Sequence, residues 1–210
     1  MTVLYPNYPR YSQDNESILY TCNPDGVQFG TNVYTYNMRS KHIDQITDYN
    51  DGECVYPDWN HAREEIIYGY RSPHKQALVI HELSNQDTTE VQLNSEQMIY
   101  NGYPRWSPDA TKIAFISNYP EGRCLNLFIV NPDGTQRIQL TSNESTRIRY
   151  HEPSWSPDGE IIVFRSNPNA PNVPLTDVMF TYEIIAVNIN TMEQLQLTQD
   201  EFFDESPSWW

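Results

Sequence analysis

Apolar residues in this chain fall in short bursts separated by polar, proline-bearing stretches. One series reads SILYT (17–21), EIIYGY (65–70), KIAFIS (112–117) and EIIVFRS (160–166). A second reads NVYTYN (32–37), ALVIHEL (77–83), LNLFIVN (125–131) and YEIIAVNIN (182–190). A third, shorter series is IDQIT (43–47), EVQLN (90–94), RIQLT (137–141) and LQLT (195–198). Bursts this short, rich in β-branched and aromatic residues and bounded by turn formers, predict strands.

A proline-aromatic phrase opens every set: YPRYSQD (8–14), YPDWNHA (56–62), YPRWSPD (103–109) and EPSWSPD (152–158). A fifth copy begins at SPSWW (206–210). The phrase prolines, Pro9, Pro57, Pro104, Pro153 and Pro207, are 48, 47, 49 and 54 residues apart. With the phrase counted as a strand, each unit holds four strand candidates, and a period near 48 fits a four-stranded propeller blade. The predicted blades are 8–47, 56–94, 103–141 and 152–198 within one domain, 1–210, and 206–210 starts a further blade. The fold class is therefore all-β: four antiparallel blades plus the first strand of a fifth, an incomplete six-bladed propeller that would associate with itself through the exposed flanks of its terminal blades. The fourth unit is longer by eight residues, and NPNAPNVPLTDVMF (167–180), with three prolines, predicts a loop between its second and third strands.

Ser-Pro-Asp-Gly has a mechanical reading. Proline presets φ for the second position of a type I turn, aspartate suits the third, and glycine takes the left-handed conformation that follows. Asp158 and Gly159 complete this set, whereas Asp109 is followed by Ala110. Trp59, Trp106 and Trp155, with Tyr11 in the first unit, occupy equivalent places and are predicted to be structural spacers between blades.

PRWSPDATKIAFIS…LNLFIVNPDGTQRIQLT and EPSWSPDGEIIVFRS…IIAVNINTMEQLQLT resemble the WD-like β-propeller repeat of the TolB type. The likeness is strong over 103–141 and 152–198, and weaker over 8–47 and 56–94, where SPDG becomes SQDN and NHAR. The resemblance implies a protein-binding platform of the bacterial envelope, periplasmic or otherwise extracytoplasmic and without catalysis of its own. It equally implies an alternative: the substrate-gating propeller of a prolyl-oligopeptidase-type peptidase, or the propeller of a carbohydrate-active enzyme.

Composition narrows the partners. The formal net charge is −15, and no Lys or Arg follows Arg165. Nucleic acid is a poor partner, because a phosphate-backbone binder needs a basic footprint. No run of 18 apolar residues predicts a membrane span. The opening MTVLYPNYPRYS lacks the basic and apolar regions of a secretion signal. Cys22, Cys54 and Cys124 are widely spaced without a CxxC pair, so neither a disulfide framework nor a zinc site is expected. No Gly-x-Ser-x-Gly elbow, phosphate loop or dinucleotide fingerprint occurs. One constellation stands out. Asp51, Glu53, His151, Glu152, Asp204 and Glu205 immediately precede inner strands, where they would converge on one rim of the central channel. Carboxylates gathered there suit a basic protein or peptide segment, or a divalent cation; no other cofactor is expected.

Overall fold

The computed structural model describes residues 6–23, 30–93, 99–120, 123–146, 148–167, 182–199, 204 and 206–209. Sixteen strands form four antiparallel sheets of four, each a simple meander. Blade 1 comprises β1 (Asn7–Tyr11), β2 (Ser17–Cys22), β3 (Asn32–Asn37) and β4 (Ile43–Gln45). Blade 2 comprises β5 (Glu53–Asn60), β6 (Glu65–Arg71), β7 (Gln76–Glu82) and β8 (Thr88–Glu90). Blade 3 comprises β9 (Asn101–Trp106), β10 (Ile113–Ser117), β11 (Asn126–Val130) and β12 (Ile138–Gln139). Blade 4 comprises β13 (Tyr150–Trp155), β14 (Ile161–Ser166), β15 (Glu183–Asn188) and β16 (Gln194–Gln196). The predicted all-β propeller of four blades is thus observed. Among the described residues no helix is long and apolar enough to cross a membrane.

The phrase strands β1, β5, β9 and β13 are innermost, and each touches the next in turn; no described strand of blade 4 contacts blade 1. Residues 206–209 belong to no sheet. The fourth-unit insertion falls at 168–181, outside the described residues.

The hydrophobic core divides by blade boundary. One cluster joins Leu19 and Val33 of blade 1 to Ile66 and Tyr68 of blade 2, with Trp59 packed against it. A second joins Ile67 and Leu78 to Phe115 and Phe128 and contains Trp106. A third joins Ile116 and Leu127 to Phe164 and Val187 and contains Trp155. Each tryptophan therefore packs at the boundary between its own blade and the preceding one. Two also bond across it: the indole N–H of Trp59 donates to the Arg10 carbonyl (3.3 Å), and that of Trp155 to the Arg105 carbonyl (3.1 Å). The Trp106 indole N–H finds no partner; its backbone N–H donates instead to Asp58 Oδ2 (2.9 Å). Tyr11, at the equivalent place in blade 1, is 59% exposed and is not such a spacer.

The turn after the inner strand is conserved in geometry beyond its letters. Ser12, Ser107 and Ser156 donate to Asp14, Asp109 and Asp158 at 2.5, 2.6 and 2.5 Å. These serine hydroxyls, together with backbone N–H donors, hold all three carboxyls below the usual carboxylate range. The left-handed position is Asn15 (φ 56°), Ala110 (57°) or Gly159 (72°). SQDN thus builds the same turn as SPDG, because asparagine tolerates positive φ.

The threonine that closes blades 1, 3 and 4 is a latch. Thr47 Oγ1 accepts from Val33 N–H and donates to Asn32 Oδ1; Thr141 does the same for Leu127 and Asn126. Thr198 serves Ile184 in the same way, but its acceptor is Glu183. Where Asn32 and Asn126 also donate from Nδ2 to backbone carbonyls, Glu183 has no such donor; it is 1% exposed and its Oε1 has no partner among the described residues.

Two substitutions test this packing with opposite signs. Trp155→Ala is expected to cost about 3–5 kcal/mol by emptying a blade boundary. Glu183→Gln keeps an oxygen to accept from Thr198 while removing an unpartnered buried carboxylate oxygen, and is expected to add about 1–3 kcal/mol. Equilibrium urea denaturation measures both, and an unchanged midpoint for either contradicts its assignment.

Candidate functional site: the central channel

The residue before each phrase proline is left-handed without being glycine: Tyr8 (φ 55°), Tyr56 (56°), Tyr103 (54°), Glu152 (53°) and Ser206 (52°). At the first four, the ladder to the neighbouring strand slips, between Asn7 and Arg10, between Val55 and Asp58, opposite Gly102 to Arg105, and between His151 and Ser154. This is a β-bulge, which bends the strand and re-aims its side chains. Ser206 shares the backbone conformation, and Asp204 N–H donates to the Tyr182 carbonyl (3.1 Å) as Cys54 N–H does to that of Thr31 (2.7 Å). The fifth phrase therefore docks on blade 4 as β5 docks on blade 1.

The bulges line the channel at two levels. At the first, the rings of Tyr8 and Tyr56 lie 4.3 Å apart and those of Tyr56 and Tyr103 3.7 Å apart, and His151 meets Tyr103 edge-on. Burial pushes the Tyr56 and Tyr103 phenols up, so both stay protonated donors. The second level comes from the residue after each proline: Arg10, Asp58, Arg105 and Ser154. Arg10 Nε lies 3.9 Å from Asp58 Oδ1. Arg105 is 6% exposed, with Nη1 donating to the Pro104 carbonyl (2.8 Å). Burial, reinforced by Arg10, lowers its guanidinium pKa to about 10 against the pull of Asp58 and Glu152. Burial likewise raises the Asp58 carboxyl against Arg105 and Arg10. Around this level opens a cavity of about 440 Å³, walled by these charged groups, by Trp59, Trp106 and Trp155, and by residues 206–209. At the other end of the inner strands lies a second depression, of about 390 Å³.

The rim residues predicted from sequence are distributed as follows. Asp51 Oδ1 accepts from the Tyr70 hydroxyl (2.9 Å), and Glu53 pairs with Arg71 (2.7 Å), so both are held within blade 2. Glu152 lies 3.9 Å from Arg165 Nε and accepts from Ser206 N–H (3.1 Å). His151 Nδ1 and the Tyr103 hydroxyl lie 2.8 Å apart. Asp204 Oδ2 is buried without a partner among the described residues. Glu205 lies outside the described residues. Among the described residues no three His, Cys, Asp or Glu side chains gather to hold a metal ion. Arg10, Asp58 and Arg105 were not anticipated. Their sequence signal is the variable position of Pro-x-Trp, which reads as filler until the bulge turns it inward.

Comparison with known proteins supplies a frame. Residues 49–172 match the profile of the TolB beta propeller domain. The uncharacterized peptidase YuxL of Bacillus subtilis (strain 168) is 44% identical over 62 residues, covering 29% of this chain and 8% of that protein. TolB from Acinetobacter baumannii superposes with a TM-score of 0.72 at 16% identity, over 96% of this chain and 45% of that structure. A puromycin-hydrolyzing peptidase of Mycobacterium tuberculosis superposes with a TM-score of 0.67 at 11% identity, over 97% of this chain and 30% of that one. The chain thus spans less than half the length of each of these proteins, and at these identities the structural likeness shows the fold alone.

Burial, aided by Arg165, lowers the His151 imidazole pKa to about 4 despite Glu152. The ring is therefore expected to stay neutral across physiological pH. Its NMR shifts should be flat from pH 8 to about 5.5, well past the ordinary midpoint near 6.5. A midpoint at 6 or above would show that the ring is solvated.

Proposed function

The chain belongs to the TolB beta propeller domain family, and from that premise we propose that it is a non-catalytic binding module that holds a segment of a protein partner in its central channel. The observation carrying this reading is the cavity of about 440 Å³ at the hub. Its volume lies in the range of sites that enclose small ligands or single peptide segments. Its walls combine broad indole faces with the charged groups Arg10, Asp58 and Arg105 and the small polar Ser154. Aromatic faces supply contact area with little rotamer entropy to lose, and a few charged groups fix register. The hub is also the one place where all four blades and the fifth phrase meet, so an occupant touches several blades at once.

A second reading is the gating propeller of a peptidase, favoured by the 62-residue likeness to YuxL. In that case the nucleophile belongs to another domain, since the sequence carries no Gly-x-Ser-x-Gly elbow. A hydrolase domain encoded in the same reading frame favours this second reading.

Several tryptophans wall the cavity, so occupancy should alter intrinsic fluorescence. Titration with a panel of extended synthetic peptides is expected to show saturable quenching by a subset, with the peptides recovered uncut. Ser154→Phe, which projects a ring into the cavity, should weaken that binding at least about 10-fold, while Ser154→Ala leaves it intact; about 1.4 kcal/mol corresponds to that factor. Folded Ser154→Phe protein with unchanged affinity, or a panel without any binder, overturns the proposal.

A further inference from the structure

The second channel mouth differs from the first in its charge. It is lined by Tyr56, Tyr100, Tyr103, Arg123, Arg149 and His151 around a depression of about 390 Å³. The chain as a whole carries 28 acidic against 13 basic residues, so an arginine-rich depression runs against its composition. Arg71 and Arg165 lie close by and are engaged with Glu53 and Glu152. Arg123 and Arg149 are exposed, and among the described residues neither forms an ion pair. Two guanidinium groups free to pair, beside phenol hydroxyls that burial keeps protonated and able to donate, make a donor-rich surface with aromatic walls. His151 is engaged with the Tyr103 hydroxyl and, held neutral by burial, leaves the positive charge of the depression to the two arginines. Of the carboxylates expected from sequence at this rim, Asp51, Glu53, Glu152 and Asp204 do not line the depression, and among the described residues no other Asp or Glu does.

We infer that this mouth is a carboxylate-binding site that receives Glu or Asp side chains of an acidic peptide segment, with Arg123 and Arg149 as the paired cations and the tyrosine rings packing against the side-chain stems. Guanidinium matches carboxylate with two parallel N–H donors, and the pair is stronger than a neutral hydrogen bond. This extends the peptide-binding reading to the opposite end of the channel, but its chemistry does not depend on the larger cavity being filled.

The probes are acetyl-Glu-Glu-Glu-amide, its Gln analogue, trigalacturonate and inorganic phosphate, titrated against the intact chain at low salt with Tyr103 and His151 NMR shifts as the readout. Triglutamate is expected to bind and to move both sets of resonances, and the Gln analogue is expected not to bind. Arg149→Gln and Arg123→Gln should each weaken triglutamate at least about 5-fold, whereas Arg39→Gln, at the exposed β3–β4 turn of blade 1, should not. Equal affinity for the Gln analogue, or equal loss with Arg39→Gln, overturns the site. Binding of trigalacturonate or phosphate with no response to triglutamate overturns the peptide assignment in favour of a sugar acid or a phosphate. Ser154→Phe separates the two readings: triglutamate binding that survives it, alongside a failed search for occupants of the larger cavity, upholds this inference while the hub reading falls.

Discussion

A left-handed residue before each inner-strand proline is the constraint on which the rest of the molecule depends. In non-glycine residues that conformation costs on the order of 1–3 kcal/mol and persists only where surrounding contacts over-determine it. Here it occurs in all four inner strands, at Tyr8, Tyr56, Tyr103 and Glu152, and again at Ser206. The proline that follows removes a backbone donor at the point where the ladder slips, so the bulge leaves no N–H stranded there. The side chains before the proline form the tyrosine level, and those after it form the charged level. Two structurally different channel ends follow from one repeated backbone distortion.

Electrostatics at the hub reflect this alternation. Arg10, Asp58 and Arg105 occupy successive blades, so positive, negative and positive charges follow one another around the axis. Buried charges persist only when compensated, and Asp58, facing both arginines and the Trp106 N–H, is the compensating group. Away from the hub, the Asn–Thr latches of blades 1 and 3 and the Ser–Asp turns of blades 1, 3 and 4 are satisfied locally within their own blades. Glu183 in blade 4 departs from the latch pattern, standing where Asn32 and Asn126 stand in blades 1 and 3.

Much of the architecture was legible because the repeat writes its strands in phase with its turns. The four blades and the order of their strands followed from spacing and residue type. The bulge was not legible, since tyrosine, glutamate and serine give no hint of positive φ as glycine would. Nor was the equivalence of SQDN to SPDG, because the turn depends on the Ser–Asp hydrogen bond and a tolerant fourth residue more than on proline. Sequence proximity set the rim constellation beside the inner strands but did not reveal that Asp51 and Glu53 are taken up by Tyr70 and Arg71. Arg123 and Arg149 escaped notice for the converse reason: they lie 26 residues apart in sequence and meet only because a hairpin loop of blade 3 folds beside the entry of blade 4.

The indole bonds of Trp59 and Trp155 end on the carbonyls of Arg10 and Arg105, residues whose side chains wall the hub cavity. The seam between two blades and the wall of the channel are therefore fastened at the same peptide groups. Repeat structures transmit disturbance from neighbour to neighbour, and here the fastening sits at the axis, on peptide groups shared by the seam and the channel wall. A pull on the Arg105 backbone toward the axis loads the joint between the third and fourth blades before it deforms either sheet. Mechanically, the molecule is a set of stiff leaves bound along the spine, and tension applied at the spine changes how far the leaves stand open.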